Sequence, residues 1–279
     1  MKCPHIHVTI SLIYWKEEKV VARTILDTQL HEMRTRIIRL GMLVETALEQ
    51  ALRAMQSGDQ ALCGLVIASD STIDEVRSEV ERLAFQALTL QQPLAGHDLR
   101  FLSSAPSITG DLERMGDNAA GIAKLLLRMA PLRVASMSQA QVDPSDLADR
   151  NRKHPSDHMV TEASIVSGLF DLGQEALRVL RGTIRAFDQS DAHAARIIWQ
   201  EDDVVDVRYH LVRHDVMTML TGLHAIPALQ QDSLIMQRIT YWLWIAHNLE
   251  RIGDHCTNIC ERIVFFIEGE GTIRPEEPV

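Results

Sequence analysis

Asp111-Leu112-Glu113-Arg114-Met115-Gly116-Asp117-Asn118 recurs as Asn248-Leu249-Glu250-Arg251-Ile252-Gly253-Asp254-His255, and the repetition decides the fold. Each copy reads Leu-Glu-Arg-x-Gly-Asp, with the Glu and the Asp four residues apart. On a helix that spacing stacks two carboxylates on one face, one turn apart. Two acids so placed repel each other unless a cation sits between them.

Outward from the motif, each copy lies in the last of three helical patterns. Before the first copy, one pattern runs from about Val20 to Ser57, with Leu30, Met33, Ile37, Leu40, Val44, Leu48 and Met55 at three- and four-residue steps. Ser57-Gly58-Asp59 stops it. A second runs from about Gln60 to Thr89, and Gln92-Pro93-Leu94-Ala95-Gly96 turns the chain. The third runs from about Asp98 to Met129, where Pro106 predicts a kink or an interruption. Residues 131–160 carry Ser, Asp, Gln and Pro without a sustained period and read as a linker. The three-part pattern then restarts through Leu172 and Phe187, stops at Gln189-Ser190-Asp191, continues from Ala194 to about Leu220, and ends with about Ala228 to Glu268.

The spacing of equivalent residues supports a duplication. Asp59 and Asp191, Asp70 and Asp202, and Asp74 and Asp206 are each 132 positions apart. Glu113 and Glu250, and Asp117 and Asp254, are each 137 apart. The five-residue change falls in a loop between helices, where a duplicated unit tolerates it. The predicted fold is therefore all-α: two three-helix bundles, 23–130 and 161–279, related by a pseudo-twofold, joined by the linker 131–160 and preceded by a poorly defined extension 1–22.

Composition agrees and excludes. Aromatic residues are only 5% of the 279, which disfavours a β-sandwich. A net charge of −10 argues against nucleic acid as a partner. Cys3, Cys63, Cys256 and Cys260 show no disulfide framework spacing, and the apolar run Ile6 to Trp15 is too short to span a bilayer. These features point to a reducing, cytoplasmic setting.

Four acidic pairs carry the chemistry: Asp70/Asp74 and Asp202/Asp206 on the middle helices, Glu113/Asp117 and Glu250/Asp254 on the last helices. The second and third helices of a bundle are antiparallel neighbours, so four carboxylates in each half can converge across one groove. Such an oxygen-rich set suits Mg, Mn or Fe, with Zn also open. Asn258, one turn past Asp254, adds a neutral oxygen. The competing reading is a solvated acidic face, with Arg114 and Arg251 in ordinary ion pairs. Recurrence of the pairs at matching places in both halves favours metal. Gly116 and Gly253 lie mid-helix, where Gly costs about 1 kcal/mol against Ala, so a matched pair indicates close approach of a helix or a ligand.

Neighbouring residues are weaker candidates. His210 and His214 continue the Asp202/Asp206 ladder, but each four-residue step drifts by about 40°, so His214 leaves the acidic face. Cys256 and Cys260 fall on the apolar side and read as core. No phosphate-binding glycine loop, no His-Glu-x-x-His, no Glu-x-x-His and no Gly-x-Ser-x-Gly is present, so nothing in the sequence points to catalysis.

Gln91-Gln92-Pro93-Leu94-Ala95-Gly96-His97-Asp98-Leu99-Arg100, with the two Leu-Glu-Arg-x-Gly-Asp copies, resembles the PhoU family. The likeness runs from about Arg23 to Gly269. It implies a cytoplasmic, non-enzymatic negative regulator of phosphate uptake and phosphate-starvation signalling, folded as two three-helix bundles and forming a homodimer. It implies contact with the ATPase of a Pst-type phosphate transporter and with a PhoR-type histidine kinase, and membrane association only through such partners. It also implies metal, iron or zinc before manganese or magnesium, at Glu/Asp-x-x-x-Asp motifs. These fall here on Asp70, Asp74, Glu113, Asp117, Asp202, Asp206, Glu250 and Asp254. The family's Asn one turn later is Asn258 in the second half and Gly121 in the first, which weakens the first site. The alternatives are a carboxylate-metal enzyme on a helical bundle and a structural adaptor without metal.

Overall fold

The structure, a computed structural model, describes residues 5–90, 94, 96–132, 160–224 and 233–269, with side chains at those positions except 5–22, 223, 224 and 233. Seven α-helices follow in order: α1 (His5–Ser57), α2 (Gln60–Leu90), α3 (Gly96–Met129), α4 (Glu162–Gln189), α5 (Ala192–Gln200), α6 (Asp202–His224) and α7 (Ser233–Glu268). The linker and the turn before α7 lie outside the described residues. Helices α1 to α3 form one three-helix unit, and α4, the broken rod α5–α6 and α7 form the other.

The expected stops are present in both halves. Gly58 has φ 70° and Ser190 has φ 51°, so each first helix ends in the left-handed conformation that releases the chain from its axis. Asp59 Oδ1 then accepts from Ala61 N at 2.8 Å, and Asp191 Oδ1 accepts from Ala194 N at 2.9 Å, capping the next helix in each half. Thr161 caps α4, exchanging hydrogen bonds with Ser164 in a capping box.

Three details depart from the sequence reading. Helix α1 begins at His5 rather than near Val20; no Gly or Pro lies between 5 and 40 to stop the helix. Helix α3 runs unbroken through Pro106. The rod equivalent to α2 is interrupted at Glu201, whose carboxylate reaches Arg178 of α4 at 2.7 Å.

The two halves share one hydrophobic core. The equivalent helices α3 and α7 make the widest contact in the molecule, and α1 packs on α4. Leu102, Met115, Ile122, Leu249, Ile252, Cys256, Cys260 and Ile263 are fully buried along the α3–α7 seam, so the cysteines are core, as their helical position requires. Burial pushes the Cys260 thiol up to about 12, which keeps it inert. The seam also holds one polar crossing. His255 Nδ1 lies 3.0 Å from Asp111 Oδ1, with both residues buried. By the 137-position offset the equivalent pair is Asn118 and Asn248, so the pseudo-twofold is kept in backbone and broken in charge.

Candidate functional site

Each acidic groove lies where the middle and last helices of a half run side by side. In the second half all four carboxylates act on one another. Burial, then the charges of Asp206, Asp254, Asp203 and Glu250, push the Asp202 carboxyl up to about 6. Glu250 is raised by burial and by Asp254, and Asp254 by burial and by Asp206. Asp202 Oδ1 is buried without a hydrogen-bond partner among the described residues. An orphaned carboxylate oxygen amid three other acids is the strongest feature of the site.

Gly253 explains how Asp202 comes to be there. A Cβ at Gly253 would stand 2.8 Å from Asp202 Oδ1 and 3.1 Å from Val205 Cγ1. In the first half a Cβ at Gly116 would meet Ile73 Cδ1 at 2.8 Å instead. Val205 stands where the first half has Ile73. At Gly116 the isoleucine fills the space over the glycine, whereas at Gly253 the smaller valine shares it with the Asp202 carboxylate. The matched glycines therefore do serve close helix approach, and only the second also seats a carboxylate. Gly253→Ala is expected to expel Asp202 toward solvent and lower its pKa toward the ordinary carboxylate range, while Gly116→Ala leaves it unmoved; a carboxyl-resolved NMR titration of both variants reads this directly.

The first half is built differently. Asp70 is raised by burial and by Asp117, but Lys124 opposes the shift. Glu113 is raised by burial, with Arg77 the largest opposing influence. Arg77 Nη1 lies 3.1 Å from Glu113 Oε1, and its Nε donates to Glu81 at 3.0 Å. At the equivalent places the second half has Tyr209 and Glu261. The first groove thus carries Arg77 and Lys124 as counter-charges, while in the second the opposing charges on Asp254 come from His255, Arg251 and His247.

Two other residues qualify the sequence reading. Asn258 lines a cleft of about 400 Å³ together with Arg77, Asp111 and Arg114 of the first half. Among the described residues no interaction joins it to the four acids of the second half. The histidine beside those acids is His247, with Nδ1 3.1 Å from Glu250 Oε2, rather than His210 or His214, which are both exposed. Its signal in the sequence was a His three residues before a motif Glu, the reverse of the Glu-x-x-His order.

As a donor set, the second groove offers a hard or borderline cation four carboxylates and one orphaned oxygen, with His247, His255 and Arg251 as the opposing charges. Among the described residues no three His, Cys, Asp or Glu side chains are grouped so as to hold an ion as they stand.

The comparisons with known proteins follow the same repeat. The PhoU domain model matches twice, at residues 37–126 and 169–263, one match in each half. A "phosphate-specific transport system accessory protein PhoU homolog" from Streptococcus pneumoniae serotype 4 is 31% identical over 244 residues, covering 88% of this chain and 95% of that protein. A protein of the same name from Clostridium acetobutylicum is 24% identical over 250 residues, 90% of this chain and 97% of its own length. The crystal structure of the phosphate transport system regulatory protein PhoU from Streptococcus pneumoniae superposes with a TM-score of 0.67 at 29% identity, covering 89% of this chain and all of that one. PhoU from Pseudomonas aeruginosa shares the fold, with a TM-score of 0.68 at 23% identity. With the domain present in both halves of the repeat, the chain belongs to the PhoU family, a family of regulatory accessory proteins rather than enzymes.

Proposed function

We propose that this chain is a cytoplasmic negative regulator of phosphate uptake and phosphate-starvation signalling that docks on the ATPase of a Pst-type transporter and on a PhoR-type histidine kinase. The relatives' role as accessories of phosphate-specific transport supports the setting. Among the described residues no helix is long and apolar enough to cross a membrane.

The observation that carries the mechanism is the second groove, where Asp202, Asp206, Glu250 and Asp254 crowd and the buried Asp202 Oδ1 has no hydrogen-bond partner among the described residues. These four residues would hold a metal ion, iron or zinc first, with manganese or magnesium as alternatives. An ion held there would supply charge neutralisation and Lewis-acid attraction for a carboxylate or phosphate oxygen of a partner. Asp202 holds one oxygen against α7, Gly253 leaves the room for it, and His247 steadies Glu250. The first groove favours the second reading, an adaptor surface that needs no metal, because Lys124 and Arg77 oppose the upward shifts of Asp70 and Glu113. A homodimer would present both grooves twice.

Retention on an immobilised transporter ATPase tests the proposal. The metal-loaded chain is expected to be retained. The chelated chain, and an Asp202→Asn/Glu250→Gln variant, are expected to lose retention by tenfold or more. Equal retention of all three would overturn the role of metal in docking, and no retention of the loaded wild type would overturn the partner.

A further inference from the structure

The cleft of about 400 Å³ that Asn258 lines gathers three guanidinium groups: Arg77 from α2, Arg114 from α3 and Arg262 from α7. Like charges gathered this way repel one another unless anions stand between them. The carboxylates at hand do not engage all three. Arg77 Nη1 lies 3.1 Å from Glu113 and its Nε donates to Glu81, so this cation is largely taken. Arg114 has one long contact, 3.4 Å to Asp111 Oδ1, and that oxygen is already held by the buried His255 at 3.0 Å. Arg262 makes no hydrogen bond or ion pair among the described residues. Both Arg114 and Arg262 are exposed, so their donors are open to a ligand.

The rest of the wall is polar. Ser107 brings a hydroxyl, Asn258 an amide and Glu261 a carboxylate. No aromatic or long apolar side chain lines the cleft, so a nucleobase or other flat ring has nothing to stack on. Gly110 brings no side chain, and a Cβ built there meets no atom within 4 Å. The other half differs at these places. By the offsets of 132 and 137, Ser107, Gly110 and Arg262 become Trp244, His247 and Leu125, and Arg77 becomes Tyr209. Bulk stands there where this half has space, and of the three guanidiniums only Arg251, the twin of Arg114, is kept.

We propose that this cleft binds a phosphate group, either as inorganic phosphate or as the end of a small polar phosphate ester, with Arg114 and Arg262 as its main donors. The planar guanidinium fork matches phosphate oxygens bidentately, and a tetrahedral dianion offers acceptors to several such forks where a carboxylate has only two oxygens. Arg77 adds a third charge, and Ser107 and Asn258 add neutral donors. The cleft lies within the size range of small-molecule sites and leaves room for an ester group. Glu261 is the one lining carboxylate without a partner, and it opposes the anion. The site uses neither the second acidic groove nor any metal in it.

Calorimetric titration of the chelated full chain at constant ionic strength tests the site, since neither a bound metal nor altered screening then contributes. Inorganic phosphate and glycerol 3-phosphate are the two probes. At least one is expected to bind saturably at one site per chain, and the tighter of the two names the source of the phosphate. Arg262→Gln breaks no ion pair and is expected to weaken binding by about three- to tenfold. Glu261→Gln removes the opposing charge and is expected to tighten it by about threefold. Gly110→His places the other half's residue in open space, so the fold is expected to be kept and binding to fall by more than tenfold. Absence of saturable binding of both probes up to about 10 mM overturns the proposal. So does binding that Arg262→Gln and Gly110→His leave unchanged. Should Gly110→His fail to fold, the other two variants decide: opposite shifts in affinity uphold the site, and equal affinities reject it.

Discussion

Asp202→Asn in the metal-free protein is expected to raise the melting temperature at pH 7 by several degrees and at pH 4 by only a small fraction of that. The Asp202 carboxyl rises from its ordinary 3.8 to about 6 on folding. The folded chain therefore binds this proton more tightly than the unfolded chain does. The corresponding stability is full below 3.8 and is lost as pH rises through about 6. The shift corresponds to at most about 3 kcal/mol, less what solvent screening removes at a half-buried group. In a chain of this size each kcal/mol moves the midpoint by about 2–4 °C, and less above 250 residues. Asparagine has the shape of the protonated acid, so the difference vanishes where Asp202 is itself protonated. Metal at a free concentration of a hundred times Kd offsets most or all of the difference, because wild type gains about 2.7 kcal/mol. Thermal melts of both chains at the two pH values, with chelator and with metal, check every step.

Arg77→Gln combined with Lys124→Gln should convert the first groove into a metal site. Arg77 opposes the upward shift of Glu113, and Lys124 opposes that of Asp70. Removing both raises the two carboxyls further, so the metal-free variant is expected to lose stability between their new pKa values and pH 7. The same change removes the groove's internal counter-charges, and affinity for a divalent ion is expected to rise at least tenfold, about 1.4 kcal/mol. Calorimetric titration with Mn²⁺ in an Asp202→Asn background isolates the first groove. Unchanged affinity there would show that Arg77 and Lys124 do not decide which half takes the ion.

The repeat was legible because its spacing is rigid. Offsets of 132 and 137 place Gly58 opposite Ser190, Asp59 opposite Asp191 and Gly116 opposite Gly253, and each pair performs the same local task in the structure. The eight acids were legible for the same reason. What separates the two grooves was not, because it comes from other helical turns. Arg77 and Lys124 approach the acids only once α2 lies against α3. The exchange of Ile73 for Val205 reads as conservative in sequence, yet with the smaller valine a carboxylate shares the space over the glycine. The break at Glu201 was hidden because the apolar period continues across it, and only the neighbouring Arg178 draws that carboxylate aside. Asn258 has the right spacing from Asp254, but the pseudo-twofold turns its face toward α3 and Asp111.

Elemental analysis of the tag-free protein, after growth with iron, zinc and manganese supplied, tests the central claim most directly. Wild type is compared with Asp202→Asn/Glu250→Gln and with Asp70→Asn/Glu113→Gln. Stoichiometric metal in wild type, lost in the second-half variant and retained in the first-half variant, is the expected result. Trace metal in all three chains, or loss confined to the first-half variant, would contradict the assignment of the ion to Asp202, Asp206, Glu250 and Asp254.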